Sequence, residues 1–481
     1  MSRVLVIDAG TTSVRAAVVD EEGRLVVEKR QVFAPSIPAP GLVEFDPIAL
    51  VGVVLDTCSA ALEEAGPVLG VGLSNQRAST VVWERATGTP VGPGLGWQDL
   101  RTLGDCLALR SEGLRLAPNQ TATKARWLMS NASASPDELL VGTVDSWIVW
   151  NLSAGARHVT DLSNAMVTGL CRADGSGWDE KVLESLSIPA GSMAEIVDST
   201  GVAAEAVRLP GAPPVCGISG DQQASLVGQS CVAEGQAKIT FGTGGMLDMR
   251  LGSERPISSE RGPEGCFPIV CWRDEGGVVW GLEAIMLSAG GNVEWLRDDL
   301  GLISSVEESH DLAASVPDSG GVFYVPAQLG LGTPNWDYGA RGLLIGLTRG
   351  TTAAHVARAV LEGVANLGAD LVEAAEKESG VRLASLRVDG GMSRNPTFVQ
   401  ALADAAARPV EVSPVTEATA LGAGYLAGLA CGLWSGWEEI ADLWRPGQVV
   451  EPRAGHSQRA AWKEAVGRSL GWVPELSTLD F

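Results

Sequence analysis

Two segments of the chain repeat one shape, and that repetition limits what the chain can fold into. Val4 to Thr12 runs an apolar strand into Asp-Ala-Gly-Thr-Thr, and Ala237 to Arg250 runs a strand, a Gly-Thr-Gly turn and a second strand. Glycine followed by hydroxyl residues offers backbone amides and side-chain donors that can surround a phosphate. Either segment alone is also an ordinary hairpin. One such hairpin opening each half predicts duplicated domains facing a shared nucleotide. The strands around each hairpin, followed by alternating helices and strands, predict an α/β protein of two similar domains. The boundary falls at residues 229 and 230, which predicts one domain over residues 1–229 and the other over residues 230–481.

A third segment, Val215 to Gln223, reads Val-Cys-Gly-Ile-Ser-Gly-Asp-Gln-Gln. Its apolar start predicts a buried strand, its glycines allow a tight turn, and Asp221 is presented at the strand's end. An Asp there is commonly a helix N-cap. A second carboxylate, Asp8, ends the first strand in the same way and shifts the reading towards chemistry: a carboxylate so placed can act as a base.

At 481 residues the chain exceeds one core and fits two domains. Its formal charge of -23 argues against nucleic acid or an anionic membrane as partner, since both are polyanions. Neither a signal peptide nor an apolar run of membrane-spanning length is present, which predicts a cytoplasmic protein. The eight cysteines are scattered without a Cys-x-x-Cys pair and read as reduced core thiols. His158, His310, His355 and His456 lie far apart, outside any paired-ligand motif, and predict no histidine metal site. Dinucleotide-binding and Walker A patterns are absent.

In chain order, Arg3 to Ile7, Val14 to Asp20 and Leu25 to Gln31 predict a meander. Asp46 and Pro47 predict a helix start, with apolar positions to Leu62. Val68 to Ser74 predicts a strand ending at Asn75-Gln-Arg77, a place where side chains commonly face a ligand. Ser192 to Pro214 reads as a surface connection, and Gly330 to Gly342 as a long loop. Thr352 to about Ser379 predicts an amphipathic helix packed on a sheet. Small residues from Ala418 to Gly428 permit close packing against a neighbouring element or ligand. Trp434, Trp437, Trp444 and Trp462 read as belonging to peripheral helices.

Eight short motifs occur together: Asp8-Ala-Gly-Thr-Thr-Ser-Val-Arg15, Asn75-Gln-Arg77, Gly142-Thr-Val-Asp-Ser-Trp147, Gly220-Asp-Gln-Gln223, Gly242-Thr-Gly244, Gly332-Thr-Pro-Asn-Trp-Asp337, Gly346-Leu-Thr-Arg-Gly350 and Val388-Asp-Gly-Gly391. In this order and spacing the chain resembles the FGGY family of carbohydrate kinases, and within it the glycerol kinases. The resemblance covers nearly the whole chain. It implies two ribonuclease-H-like domains of the actin, hexokinase and Hsp70 type, residues 1–229 binding substrate and carrying the base and residues 230–481 binding nucleotide, with the active site in the cleft between them. It also implies ATP and magnesium as cofactors, a small polyol or sugar as substrate, and a homodimer or homotetramer.

By that resemblance Gly10, Thr11, Thr12 and Arg15 hold the terminal phosphates, and Gly242, Thr243, Gly290, Gly391 and Asn395 line the rest of the nucleotide site. Asp8 and Asp221 serve the magnesium, and Asp221 takes the proton of the acceptor hydroxyl. Arg77, Ala78, Trp97, Asn119, Gln222 and Met246 line the acceptor pocket with it. Phosphoryl transfer needs these parts: neutralised phosphate charge, an aligned hydroxyl and a nearby base.

Three positions depart from the glycerol-kinase pattern. Ala78 stands where Glu follows Arg, Asn119 replaces an aromatic residue, and Met246 replaces another. Losing a hydroxyl partner costs about 1 to 3 kcal/mol for each buried polar group left unpaired. The changes therefore predict a wider pocket for a longer polyol or ketose, with Asp99 or Asn119 supplying replacement contacts; a strict glycerol kinase with altered contacts is the alternative. The fructose-bisphosphate loop of well-known glycerol kinases has no match between Gly201 and Pro214, which predicts no inhibition by that sugar phosphate. An acceptor-independent ATPase of the actin or Hsp70 kind, or a sugar sensor, would share the hairpins but would not need Gly220 to Gln223 or Asn75 to Arg77.

Overall fold

The computed structural model describes residues 2–455 and 458–479, so His456 lies outside the described residues. Strands β1 (Arg3–Ala9), β2 (Ser13–Asp20) and β3 (Leu25–Val32) form the predicted antiparallel meander. Helix α1 (Pro47–Ala65) follows, with Asp46 capping the amides of Ile48 and Ala49. Its Leu50, Val54, Cys58, Ala61 and Leu62 are buried at helical spacing and share a core with Leu5, Ile7 and Val14 of the sheet. Strand β4 (Val71–Asn75) lies parallel to β1.

The segment expected to be a surface connection contains an edge strand, β5 (Thr200–Glu205), antiparallel to β6 (Pro214–Gly220). Its alanines and glycine carry little apolar contrast, so periodicity does not mark it. The β6 strand runs parallel to β4, giving the order β5-β6-β4-β1-β2-β3. Helix α2 (Asp221–Gly228) begins where β6 ends.

The second half repeats the plan. Strands β7 (Ala237–Phe241), β8 (Gly245–Arg250), β9 (Phe267–Asp274), β10 (Gly277–Met286), β11 (Leu386–Asp389), β12 (Val410–Val412) and β13 (Gln448–Val450) are ordered β9-β10-β8-β7-β11-β12-β13. β7, β8 and β10 form the antiparallel three, and β11 and β12 add in parallel beyond β7. Helix α3 (Ala353–Ser379) buries one face against this sheet, as predicted, and α4 (Pro396–Ala406) joins β11 to β12. Trp462, read as peripheral, is fully buried in this core and donates its indole N–H to Asp370 at 2.8 Å.

Helix α5 (Ala418–Ala430) comes late in the chain yet packs on α2 and on β6, β1 and β4 of the first sheet. A Cβ on Gly422 would fall on the carbonyl oxygen of Ala224, and one on Gly228 on that of Ala418. The two backbones touch, so the small residues here serve contact with an element.

Candidate active site

Asp8, Asn75 and Gly220 occupy the carboxyl ends of neighbouring strands β1, β4 and β6; Asp8 is in register with Ser74, and Asn75 with Gly220. This register brings Asp8 and Asp221 to one end of the sheet, where open α/β sheets bind ligands. Asp8 accepts hydrogen bonds from Ser74 Oγ at 2.9 Å and Arg15 at 3.3 Å. Burial pushes its carboxyl up to about 6, against the pull of Arg15 and Ser74 and with the push of Asp221 and Glu417. Arg15 is itself buried and also paired with Glu28, at 3.1 Å, and with Glu417. The turn between β1 and β2 closes through Gly10 N–H to Ser13 C=O at 3.1 Å, leaving Thr11 half-buried and Thr12 exposed.

Arg77 leaves the first half and enters the second. Its Nε lies 3.5 Å from Asp221 Oδ1, a terminal nitrogen lies 2.7 Å from Glu283 of β10, and Met246 Sδ lies 3.8 Å away. Burial raises the Asp221 carboxyl above its ordinary value, opposed by Arg77 and by the Gln222 amide, which donates to it at 2.8 Å. Burial raises Glu283 as well, against Arg77. Gln222 Oε1 accepts from Lys238 Nζ at 2.8 Å, and Lys238 also pairs with Asp248 at 2.7 Å; neither charged side chain is exposed. Glu411, Arg387, Lys238, Asp248 and Glu283 are register partners, one on each of five adjacent strands, so a row of charges crosses the sheet to Arg77.

Lys238, Asp248, Glu283 and Glu417 were not found by sequence reasoning. The signal for the first three was a lone charge inside an apolar strand, since a buried charge survives only when paired.

Of the residues expected to line the acceptor pocket, Ala78 is buried with φ 58°. Trp97, 39% exposed, donates from its indole nitrogen to Thr11 Oγ1 at 3.2 Å. Asn119 is exposed, and its carbonyl accepts from buried Lys124 at 3.2 Å. Burial pushes Lys124 down to about 7. Asp99, expected as one source of a replacement contact, is fully buried, bound by Arg101 at 2.8 Å and by the Val43 amide at 2.7 Å. Its acceptor capacity is used to hold its own loop.

Of the residues expected to line the nucleotide site, Gly242 and Thr243 form an exposed turn whose carbonyls accept from Gly290 N–H at 2.9 Å and Ala289 N–H at 2.7 Å. A Cβ on Gly290 would sit 2.7 Å from Gly242 O, and one on exposed Gly391 would meet nothing within 4 Å. Asn395 caps α4 through the Phe398 amide at 3.1 Å and donates to Ser309 at 2.9 Å. The structure thus joins Arg77, Asp221, Gln222 and Met246 with Glu283 and Lys238, and places Thr11 beside Trp97.

Two duplicated sheets with matching hairpins and a carboxylate cluster at their facing ends are the frame of an α/β phosphotransferase. Family models for the FGGY family of carbohydrate kinases match residues 3–228 with the N-terminal domain and 237–431 with the C-terminal domain, and the chain belongs to this family. It is a phosphotransferase that uses ATP and an alcohol acceptor. A glycerol kinase of Aromatoleum aromaticum is 45% identical over 98% of this chain and 100% of its own length. Glycerol kinase 2 of Thermotoga maritima is 42% identical over 98% and 99%. The crystal structure of Plasmodium falciparum glycerol kinase with ADP superposes with a TM-score of 0.91 at 28% identity, covering 98% of each chain. Gluconate kinase from Lactobacillus acidophilus, at 19% identity and TM-score 0.86 over 99% of this chain and 98% of its own, shares the fold.

Proposed function

We propose that the protein transfers the terminal phosphoryl group of ATP to a hydroxyl of glycerol or of a larger glycerol-like polyol or ketose, with Asp221 as the base. The observation that carries this reading is the contact of Arg77 with both Asp221 and Glu283, which sets a carboxylate base and a fixed cation at the junction of the two halves. Arg77 donates to acceptor oxygens and keeps Asp221 oriented, while Lys238 holds Gln222 beside it. Asp221 accepts the hydroxyl proton as that oxygen approaches phosphorus. Gly10, Thr11, Thr12 and Arg15 serve the terminal phosphates; Gly242, Thr243, Gly290, Gly391 and Asn395 line the remaining nucleotide site.

Magnesium fits the donors present. Asp8 and Asp221 are two cleft carboxylates, the charge of Asp221 raising the proton affinity of Asp8, and magnesium is commonly bound by one or two carboxylates together with substrate phosphates. Asp8 and Asp221 would hold it, and when bound it supplies charge neutralisation on the phosphates. The reading includes a cytoplasmic small-molecule kinase that is a dimer or tetramer.

The loss of bulk at Ala78, Asn119 and Met246 supports room for an acceptor longer than glycerol. Full-length likeness to curated glycerol kinases supports the narrower reading, a strict glycerol kinase. Acceptor-dependent ADP release with glycerol, erythritol, longer alditols and ketoses, with Asp221→Asn as control, decides between them. Acceptor-dependent release that the substitution abolishes is expected. Glycerol efficiency equal to or above that of every larger acceptor would remove the wide pocket, and release without any acceptor would remove the kinase reading.

A further inference from the structure

One pair of nucleophilic side chains plays no part in this chemistry. Cys216 lies in β6, the strand that presents Asp221, and is fully buried; Cys431 directly follows α5 and is half-buried. Their sulfurs are 3.0 Å apart. At the foot of β4, residue 70 is glycine, and a Cβ there would overlap both sulfurs. The two thiols therefore share a space that no other side chain fills. Around them lie the carbonyl oxygens of Leu69, 3.5 Å from Cys431 Sγ, and Ala427, 3.7 Å from Cys216 Sγ.

We propose that Cys216 and Cys431 form a reversible disulfide, a redox-controlled clasp between α5 and the strand that carries the base. Disulfides in reducing compartments are usually transient, catalytic or redox-sensing. Cys431 is the more accessible sulfur, and its hydrogen bond with Cys216 holds it below the ordinary thiol value, so it meets the oxidant first. With hydrogen peroxide, the Cys431 thiolate attacks one oxygen, the O–O bond breaks, and Cys431 becomes a sulfenic acid. Cys216 then attacks the Cys431 sulfur and displaces the oxygen as water. Overall, two thiols lose two electrons and two protons, and one peroxide becomes two waters. Glutathione disulfide achieves the same oxidation by two exchanges that release two molecules of glutathione.

A disulfide bond is about 2.05 Å long, so the sulfurs must close by roughly 1 Å. Helix α5 has no room to move towards the sheet, because its backbone already lies against Gly72 of β4 and Gly217 of β6, where an added Cβ would fall on Ala423 O and meet Ala427 N at 2.6 Å, respectively. Bond formation therefore shifts α5 along its length. Glu417 precedes the helix and pairs with Arg15 beside Asp8, which carries the shift to the phosphate corner.

The test treats the intact protein with hydrogen peroxide or glutathione disulfide, blocks free thiols, digests without reductant and maps linked peptides by mass. The expected product joins Cys216 to Cys431 and weighs two hydrogens less than the reduced pair. Turnover falls several-fold and returns with dithiothreitol, while Cys431→Ser matches untreated wild-type turnover and keeps it under oxidant. The map needs no assay, so it stands apart from the choice of acceptor. Absence of that linked peptide, or oxidant acting equally on Cys431→Ser, would overturn the proposal; a linked enzyme with unchanged turnover would overturn its control of catalysis.

Discussion

Asp221 and Asp8 are both carboxylates raised by burial, yet the raising has opposite meanings for them. As the proposed base Asp221 must be ionised, and a raised carboxylate keeps its proton to higher pH. Turnover should thus climb with pH through a limb lying above the ordinary carboxylate value and level off beyond it. A pH–rate profile already flat at pH 4 would contradict this. Asp221→Asn removes the proposed base and should lower kcat by about 10²- to 10⁴-fold, measured with saturating acceptor. For Asp8 the consequence is stability. Its proton affinity in the fold, about 6 against 3.8, means that its contribution is fully present below 3.8 and is lost as pH rises through about 6. Holding the ionised form therefore costs up to about 3 kcal/mol at pH 8. Asp8→Asn should raise the urea midpoint at pH 8, with the gain vanishing towards pH 4, while abolishing activity. A lower midpoint at pH 8 would mean that the ion pair with Arg15 outweighs burial. Their positions were legible in sequence because each lies beside a glycine where an apolar strand ends, Asp8 two residues before Gly10 and Asp221 directly after Gly220. Lys238, Asp248 and Glu283 were not, because their pairing runs across strands and to Arg77 in the other half.

Helix α5 shows what a pattern of small residues does and does not reveal. The sequence from Ala418 to Gly428 announces close approach, since only small side chains let backbones touch. Its partner is α2, distant in sequence, and nothing in the local pattern names it. The contact matters because α2 begins with Asp221. Gly422→Ala would place a methyl group on the Ala224 carbonyl, with backbone on both sides and no flexible side chain to yield. Overpacking commonly costs 1 to 3 kcal/mol, and about 3 kcal/mol or more is expected here. The measurement is the urea midpoint together with kcat; a variant within error of wild type in both would show that the helices part freely. The meander and α1 were legible for a different reason. Their period and caps are local, whereas β5, a short edge strand of small residues, has neither.

At the scale of the molecule, duplication was readable from two hairpins, but the way the halves engage was not. A buried guanidinium lies between them: Arg77 follows β4 of the first sheet and pairs with Glu283 of the second, both side chains about nine-tenths buried. Isolated, either charge would be costly there, so each is tolerated through the other. Arg77→Met alone leaves Glu283 buried without its cation, and Glu283→Gln alone leaves Arg77 facing Asp221 with less compensation. Each single change is expected to cost about 3 to 5 kcal/mol, the usual penalty for removing one member of a buried pair. The double variant should cost clearly less than their sum, because no unpaired charge then remains between this pair. A double-mutant cycle on urea midpoints reads this directly, and additive costs would show that the two halves do not engage through this pair. The same cycle in kcat should behave differently: Arg77 also touches Asp221, so losing it impairs turnover whether or not Glu283 is present. Coupling in stability without rescue of turnover is the pattern expected of a residue that both joins the halves and orients the base.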